Sequence, residues 1–350
     1  MNRYQVVGAC GQGSAGDVVR ARSWATGEEV AIKKLSRQRF RRSFDEVLLL
    51  REVVALRRLR HGNIVALREI IREIDCIHLV FEYVQSSLHQ WIKSRILSNQ
   101  PPPEETSAAS IVHRILLGTQ FMHEQGLFHR DLKPANVLVS EDLAILKIAD
   151  FGTARPFRRR NGRAGIDPLT GYVATRWYRA PEILLRSPQY SAPVDLWAIG
   201  CILAEVTMMQ PLFPGHSEID QLQRITAMLG TPTASTWQHG TKLMQQANAP
   251  HACGPAFPAC APQPIGDVVS RASDRGLDLL KALLRWDANR RLTAAQCLRH
   301  AYFRVIRVRG SPRIMVALRR WARRVQGRRI EEMDVVHDAG GNGEQQADAL

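Results

Sequence analysis

A series of short motifs in the middle of this 350-residue chain constrains its fold more than any other feature. It begins with His129-Arg130-Asp131-Leu132-Lys133-Pro134-Ala135-Asn136, continues with Asp150-Phe151-Gly152 and ends with Ala180-Pro181-Glu182. A solvated turn could contain His-Arg-Asp by chance. Chance is a poor explanation for the whole series, because the later motifs follow in order.

The residue types in these motifs suit phosphoryl transfer. Asp131 can accept, or at least orient, the proton of a substrate hydroxyl, and Lys133 can neutralise charge on the transferring group. Asn136 and Asp150 offer oxygen ligands to Mg²⁺. Such a reaction depends mainly on positioning and charge neutralisation, so it requires a base, a cation and metal ligands.

A glycine-rich segment near the start of the chain is a candidate nucleotide cover. Gly11, Gly13, Gly16 and Val18 form the pattern G-x-G-x-x-G-x-V between two predicted strands. Glycines allow the backbone to approach phosphate oxygens. Alone the pattern is weak, because a glycine-rich turn without a ligand is commoner. The predicted nucleotide-contacting residues here are Cys10, Gly11, Gln12, Gly13, Ser14, Ala15, Gly16, Asp17 and Val18.

The next predicted strand ends in a lysine that can hold nucleotide phosphates. In Val30-Ala31-Ile32-Lys33 we predict that Ala31 and Lys33 contact the nucleotide. A buried ammonium needs a carboxylate partner, and Glu52 on the following predicted helix is well placed. Without the other motifs, such a lysine would be an ordinary surface side chain with its stem on apolar surface.

Composition indicates a folded protein rather than a membrane or nucleic-acid-binding protein. The net charge is +15, but only seven of the 48 basic residues are Lys, a bias that genome composition can produce. Nucleic acid is therefore not an expected partner. The longest apolar run, 196–204, is too short to cross a bilayer, and no secretory signal precedes residue 12.

Six cysteines are scattered, without a CxxC pair or a His cluster of zinc-site spacing. Reduced thiols in the cytoplasm or nucleus are the expectation.

The order of predicted elements favours an α+β fold with two lobes. Strand patterns dominate residues 1–84, and helical patterns dominate 85–303. Segment 248–264 is a Pro- and Ala-rich loop insert, and 304–350 is a basic and then acidic tail expected to be partly disordered.

With these motifs in order, residues 1–303 resemble protein kinases. The resemblance implies a bilobal kinase domain, with an N-lobe over 1–84 and a C-lobe over 85–303, that uses ATP and Mg²⁺. Phe81 resembles the gatekeeper, and the Glu82 carbonyl and the Val84 backbone resemble the adenine-reading hinge. Lys133, two residues after Asp131, implies Ser/Thr rather than Tyr as acceptor.

Two further ties are implied by the resemblance. Glu182 is expected to pair with Arg291, and Asp195 is expected to anchor the catalytic loop from a buried helix.

The segment from Thr170-Gly171-Tyr172 to Glu182 resembles the CMGC group, in which most kinases prefer Pro just after the acceptor. Thr-Gly-Tyr is typical of stress-activated MAP kinases, and a MAP kinase in a cascade is the alternative. Phe81 and the segments 43–53 and 184–195 instead resemble the RCK family, typified by male germ cell-associated kinase. That resemblance implies Ser/Thr-Pro substrates, an upstream activating kinase, and a cytoplasmic protein with a role in cilia, flagella or the nucleus.

Thr170 and Tyr172 are the predicted regulatory phosphorylation sites. Phosphate on Thr170 adds roughly two negative charges, on which Arg51, Arg130 and Arg155 can converge. Arg176 or Arg179 would receive phosphate on Tyr172. The alternative, that these arginines are only surface charge, is disfavoured because Arg130 would then be an unpaired cation near the core.

The chain departs from the kinase pattern at several positions. Ala15 replaces an aromatic residue, Ala135 a Glu that helps to dock substrate, and Thr153 a Leu after Asp-Phe-Gly. We expect weaker closure over ATP, weaker preference for basic upstream residues and altered packing of the inactive state. Insertion 158–163 is expected to be a solvated loop; an acidic docking partner is the alternative.

The tail has two interpretations. Ile314, Leu318, Trp321 and Val325 share one predicted helical face, with arginines between them. A helix packed back on the kinase lobe is favoured; a segment that binds calmodulin, a membrane surface, an import receptor or another acidic partner is the alternative. For the whole chain, a non-catalytic scaffold is disfavoured because the catalytic set is intact.

Overall fold

Strands dominate the first 82 residues and helices most of the rest, as the α+β prediction requires. The coordinates are a computed structural model that describes residues 2–13, 16–36, 51–73, 76–156, 176–188, 190–247, 259–308 and 336–337. Ser14, Ala15, Thr170, Tyr172 and the insertion 158–163 lie outside these ranges, as do the amphipathic stretch of the tail and residues 248–258 of the loop insert.

The N-terminal sheet has the order β1-β2-β3-β5-β4, with a short parallel strand, β11, beside β4. Its strands are β1 (Tyr4–Gly13), β2 (Gly16–Ser23), β3 (Glu29–Ser36), β4 (Leu67–Arg72), β5 (Cys76–Glu82) and β11 (Val336–His337). β1 to β5 pair antiparallel. The first strand was predicted only over 4–7; it continues into the glycine-rich segment.

The sheet has apolar packing on both faces. Successive strand residues point to opposite sides, so Leu79 joins the main core while Val80 joins a second cluster with Ala21, Val30 and Ile32. The strand predicted over 64–70 is displaced: β4 starts at Leu67, and Ile64 forms only an isolated bridge.

Helix α1 (Arg51–Arg58) packs beneath the sheet. A helix was predicted over 45–60, and the described part begins at residue 51. Val53 and Leu56 are fully or almost fully buried, whereas Val54, one of the predicted apolar positions, is half-buried. The helix carries Glu52 in its first turn.

After β5 the described chain is mainly helical. The helices are α2 (Leu88–Leu97), α3 (Glu105–Glu124), α4 (Pro181–Leu184), α5 (Pro193–Met208), α6 (Glu218–Leu229), α7 (Ala234–Ala247), α8 (Ile265–Val268), α9 (Asp274–Leu283), α10 (Ala294–Leu298) and α11 (Arg304–Val308). Every residue of α5 from Val194 to Val206 is buried, so the apolar run predicted from sequence is the central core helix. None of the helices in the described ranges has the length and apolarity needed to span a bilayer.

Short strands and turns support the loops between α3 and α4. The strands are β6 (Ser86–Ser87), β7 (Leu127–Phe128), β8 (Val137–Val139), β9 (Leu146–Ile148) and β10 (Arg155–Pro156). Pairing of β8 with β9 and of β7 with β10 brings the segments around Asp131 and Asp150 side by side. Helix α11 packs on α3, and it extends the folded chain to Val308, five residues beyond the predicted end of the kinase domain at 303.

Candidate active site

The catalytic segment is held by a buried carboxylate on α5. Asp195 is 1% exposed, and its two oxygens accept hydrogen bonds from the backbone N–H groups of His129 at 2.8 Å and Arg130 at 2.9 Å. The His123 ring lies 2.9 Å from the same carboxylate. Arg130 has φ 75°, a left-handed conformation that costs free energy in a non-glycine residue. The anchor expected from the resemblance is therefore present, and it holds a strained backbone.

Three of the predicted site residues meet at the Asp131 carboxylate. Lys133 Nζ lies 2.7 Å from Asp131 Oδ2, and both side chains keep partial exposure to solvent. The Asn136 amide donates to the Asp131 carbonyl at 2.8 Å and to its carboxylate at 3.2 Å. A base, a cation and a metal-ligand candidate therefore share one side of a short loop.

Asn136 and Asp150 fit a divalent metal ion of the hard type. The Asn136 amide nitrogen is directed to Asp131, which leaves its Oδ1 as the group available for a ligand. The Ala149 N–H donates to the Asn136 carbonyl at 2.8 Å, so the residue before Asp150 lies directly beside Asn136. Asp150 has φ 62° and ψ 69°, a second non-glycine residue in the left-handed region. Amide and carboxylate oxygens are ligands that Mg²⁺ prefers.

Phe151 is fully buried and fixes the turn that follows Asp150. Its ring lies 5.1 Å from the His129 ring, and His129 Nε2 lies 2.9 Å from the Ala149 carbonyl. The 3₁₀ turn Phe151–Thr153 also contacts helix α1. The catalytic loop, the metal-ligand segment and α1 therefore pack as one unit.

Lys33 and Glu52 form a buried ion pair between β3 and α1. Lys33 Nζ lies 2.8 Å and 2.7 Å from the two carboxylate oxygens, and the residues are 6% and 8% exposed. Removing two charges from water is costly unless the geometry is close. The predicted partnership is present in the structure.

The glycine-rich segment is described in its backbone at residues 11–13 and 16. Gly13 pairs with Gly16 and Gly11 with Val18, next to a register shift in β1. Val18 in turn pairs with Lys33 on β3, so the glycine-rich segment and the lysine lie on adjacent strands. Cys10 lies at the surface, but the protein around it partly removes its thiol from water and so raises the pKa of that thiol. The charge of nearby Arg20 lowers the same pKa.

The hinge candidate follows directly from β5. Ala31 pairs with Phe81, and the strand ends at Glu82, after which Tyr83 and Val84 leave the sheet. The carboxylate of Glu82 accepts from the Ala66 N–H at 2.8 Å and pairs with Lys147 at 2.7 Å. Sequence reasoning missed this ion pair, because the two residues come from different lobes.

The arginines predicted to receive phosphate are only partly described. Arg51 lacks a described side chain, and Arg155 is half-buried. Arg130 is 6% exposed and its guanidinium donates to the Tyr190 hydroxyl at 2.5 Å and to the Thr153 carbonyl at 3.4 Å. Arg130 therefore has hydrogen-bond partners even without phosphate, a neutral hydroxyl and a carbonyl. Its convergence on a phosphate at Thr170 stays a prediction.

Arg179 is a buried residue near the Asp131 carboxylate, and the sequence analysis considered it only as a partner for phosphate on Tyr172. Burial lowers the pKa of its guanidinium, while the carboxylates of Asp131 and Glu218 act to raise that pKa. The sequence feature that could have indicated this position is that Arg179 directly precedes Ala180-Pro181-Glu182.

Glu182 and Arg291 form the structural tie expected from the resemblance. Two guanidinium nitrogens lie 2.6 Å and 2.8 Å from the carboxylate oxygens, and the guanidinium lies 5.1 Å from the centre of the Trp197 ring. The pair connects α4 with the loop before α10.

Comparison with known proteins agrees with this geometry. The family description "Protein kinase domain" matches residues 4–303. Mouse serine/threonine-protein kinase ICK is 45% identical over 305 residues, which cover 87% of this chain and 46% of that protein. Human serine/threonine-protein kinase MAK is 43% identical over 310 residues, covering 89% and 47%. Rice cyclin-dependent kinase F-4 is 39% identical over 303 residues, covering 87% and 62%. The chain thus spans about half the length of ICK and MAK.

Proposed function

The chain belongs to the protein kinase family, as a relative of the RCK serine/threonine kinases ICK and MAK, and we propose that it transfers the γ-phosphate of ATP to serine or threonine in protein substrates, with a preference for Pro just after the acceptor. Protein kinases in general use ATP and a divalent metal ion.

The acceptor hydroxyl is activated at Asp131. Its carboxylate accepts or orients the proton, and Lys133, 2.7 Å away, offsets charge as the phosphoryl group moves. Lys33 binds the α- and β-phosphates, and Glu52 keeps the ammonium in position. Each of these groups acts by position and charge, as phosphoryl transfer requires.

Asn136 and Asp150 would hold Mg²⁺, and the ion would neutralise charge on the phosphate oxygens. The backbone of residues 10–18 covers the nucleotide, Ala31 lines its pocket, and the Glu82 carbonyl and the Val84 backbone contact adenine.

The observation that supports this function best is the shared contact of Lys133 and Asn136 with Asp131. We would measure phosphorylation of paired Ser-Pro and Ser-Ala peptides by the wild type, by Asp131→Asn, and by Asp278→Asn as an exposed control. A positioned base contributes on the order of 10²- to 10⁴-fold in rate. A loss of that size in Asp131→Asn, with the control unchanged, would support the assignment.

Equal activity of wild type and Asp131→Asn would refute the catalytic role of Asp131, and absence of activity in both would favour the scaffold alternative. Equal rates on the two peptides would remove the proposed preference for Pro.

Activation is proposed to depend on phosphorylation of Thr170 and Tyr172. Autophosphorylation of Tyr172, with a separate kinase for Thr170, would support an RCK role. One upstream kinase acting on both residues would support the MAP kinase alternative. Unchanged activity after phosphorylation of Thr170 would exclude the switch.

A role in regulating cilium or flagellum length or transport, from a cytoplasmic pool, is the physiological part of the proposal, and it rests on the relationship to the RCK family. Localisation of the tagged chain in ciliated cells, together with cilium length after depletion, would test it. A normal cilium length in depleted cells would contradict this role.

A further inference from the structure

A second group of chemically active side chains lies at the end of the N-terminal sheet, away from the catalytic loop. Glu73 follows β4, and Cys76 and His78 lie on β5. The Glu73 N–H donates to the Cys76 carbonyl at 2.9 Å, which closes the hairpin between the two strands. Cys76 and His78 are two residues apart on a strand, so their side chains share one face.

The three donor atoms lie close together. Cys76 Sγ is 3.3 Å from Glu73 Oε2 and 3.2 Å from His78 Nε2, and Nε2 is 2.9 Å from Oε2. Tetrahedral Zn²⁺ with bonds of about 2.0–2.3 Å requires donors roughly 3.3–3.6 Å apart. The observed separations would need to open by only a few tenths of an ångström.

From this geometry we propose that Glu73, Cys76 and His78 bind one zinc ion. Thiolate, imidazole and carboxylate are the ligand types that zinc takes in proteins. A thiolate and a carboxylate carry two negative charges, which balance the two positive charges of a divalent ion. This balance matters because Cys76 and His78 are only 8% and 5% exposed, and an uncompensated charge there would be costly.

The orientation of the imidazole supports binding through Nε2. That nitrogen faces the thiol and the carboxylate, whereas Nδ1 is buried and has no hydrogen-bond partner within the described residues. Without the ion, Nε2 carries the proton and donates it to the Glu73 carboxylate, since a carboxylate oxygen only accepts. Zinc binding through Nε2 requires the neutral ring to hold its proton on Nδ1 instead, so that the Nε2 lone pair faces the ion. Cys76 loses its thiol proton to solvent on binding, so affinity rises with pH.

Access for the ion is on the side of Glu73, whose side chain is one-third exposed. Three protein ligands leave a fourth position for water, as in open zinc sites. The bound ion would fasten the β4–β5 hairpin, because its ligands come from both sides of the turn. The sequence contained no cysteine or histidine repeat of zinc spacing, and the set becomes visible only across the hairpin.

The test uses the full, tag-free chain, reduced with a phosphine and kept in excess Mg²⁺ so that oxygen sites are occupied. Co²⁺ is the spectroscopic probe, because a cobalt thiolate gives a charge-transfer band in the near ultraviolet that oxygen ligands do not. Zn²⁺ then displaces Co²⁺, and the stoichiometry is read from the end point. We expect one equivalent per chain and a higher melting temperature with Zn²⁺.

Cys76→Ser and His78→Asn should abolish the band, while the controls Cys260→Ser and His89→Asn should keep it. Glu73→Gln changes a partly exposed group and is expected to remain folded. It should weaken Zn²⁺ binding by at least the roughly 10–100-fold seen when an outer-shell partner is removed.

No band in the wild type, or a band that survives in Cys76→Ser, would overturn the proposal and leave a hydrogen-bonded group only. If Cys76→Ser fails to fold, unchanged Zn²⁺ affinity in Glu73→Gln has the same consequence.

Discussion

The Thr153 hydroxyl donates a hydrogen bond of 2.9 Å to the backbone carbonyl of His129. The carbonyl of Thr153 in turn accepts from Arg130 at 3.4 Å, so the residue contacts the catalytic loop through both its side chain and its backbone. Thr153 ends the 3₁₀ turn that follows Asp150. A leucine, usual at this position according to the kinase resemblance, could not donate this bond. The departure from the pattern therefore adds a tie between the metal-ligand segment and the catalytic loop.

Thr153→Val removes the hydroxyl and keeps the shape, and we expect it to lower kcat several-fold with little change in KM for the peptide. A lost hydrogen bond costs about 0.5–1.5 kcal/mol, and more where the carbonyl is left buried and unpaired. Steady-state kinetics and thermal melting of the wild type, Thr153→Val and Thr153→Ser provide the measurement. Thr153→Ser retains the hydroxyl and should restore kcat; equal kinetics of Thr153→Val and wild type would count against the tie.

Glu52→Gln should both inactivate and destabilise the protein. It leaves the Lys33 ammonium buried without a counter-charge, and breaking such a pair from one side costs about 3–5 kcal/mol. Denaturant unfolding and peptide phosphorylation would be compared with Arg68→Ala, which breaks the exposed ion pair with Glu28 and should cost at most about 1 kcal/mol. Similar losses of stability in the two variants would contradict this account of burial.

Asp195→Asn should loosen the catalytic loop. The carboxylate accepts two backbone N–H groups through separate oxygens, and an amide can accept through only one. We expect a fall in kcat together with a loss of stability, and faster hydrogen exchange at His129 and Arg130. Unaltered exchange at these two amides would show that the loop does not depend on the anchor.

Glu205 should make stability depend on pH. Burial raises its pKa from 4.5 to about 7, against the opposing effect of the hydrogen bond from Tyr178 at 2.5 Å. Between these pH values the folded state keeps a proton that the unfolded chain has released. The contribution of this group to stability is therefore present below pH 4.5 and is lost as the pH rises through about 7.

Glu205→Gln removes this titration and should flatten that part of the curve. Urea unfolding of the two proteins from about pH 5 to about pH 8 provides the measurement. Tyr178 donates to Glu205, and the Glu205 carboxylate helps to raise the pKa of Cys201. Burial is the main cause that raises the pKa of both groups, so neither ionises in this range. Parallel curves for the wild type and the variant would contradict the assignment.

The amino-acid sequence alone predicted the fold class, and it predicted most of the residues that the structure brings together around Asp131. Apolar periodicity predicted mainly strands before residue 84, with one helix among them, and mainly helices after it, because burial patterns of period 2 and 3.6 are local properties. The roles proposed for Lys33, Asp131 and Asn136 came from motifs whose spacing is set within one loop or one pair of strands. The sequence did not predict the exact ends of β1 and β4, since pairing with neighbouring strands extends or shifts a strand.

Only the tertiary structure decided the contacts between residues distant in the chain. Tyr190 as a partner of Arg130 depends on packing within the C-lobe, and the pairing of Lys147 with Glu82 depends on how the two lobes pack. Glu73, Cys76 and His78 are close in sequence, but the register of the β4–β5 hairpin decides that their side chains meet. Such contacts leave no periodic signal, because each is one among many that a given side chain could make. Packing selects one of these contacts, because polar groups that are buried together must form hydrogen bonds with each other.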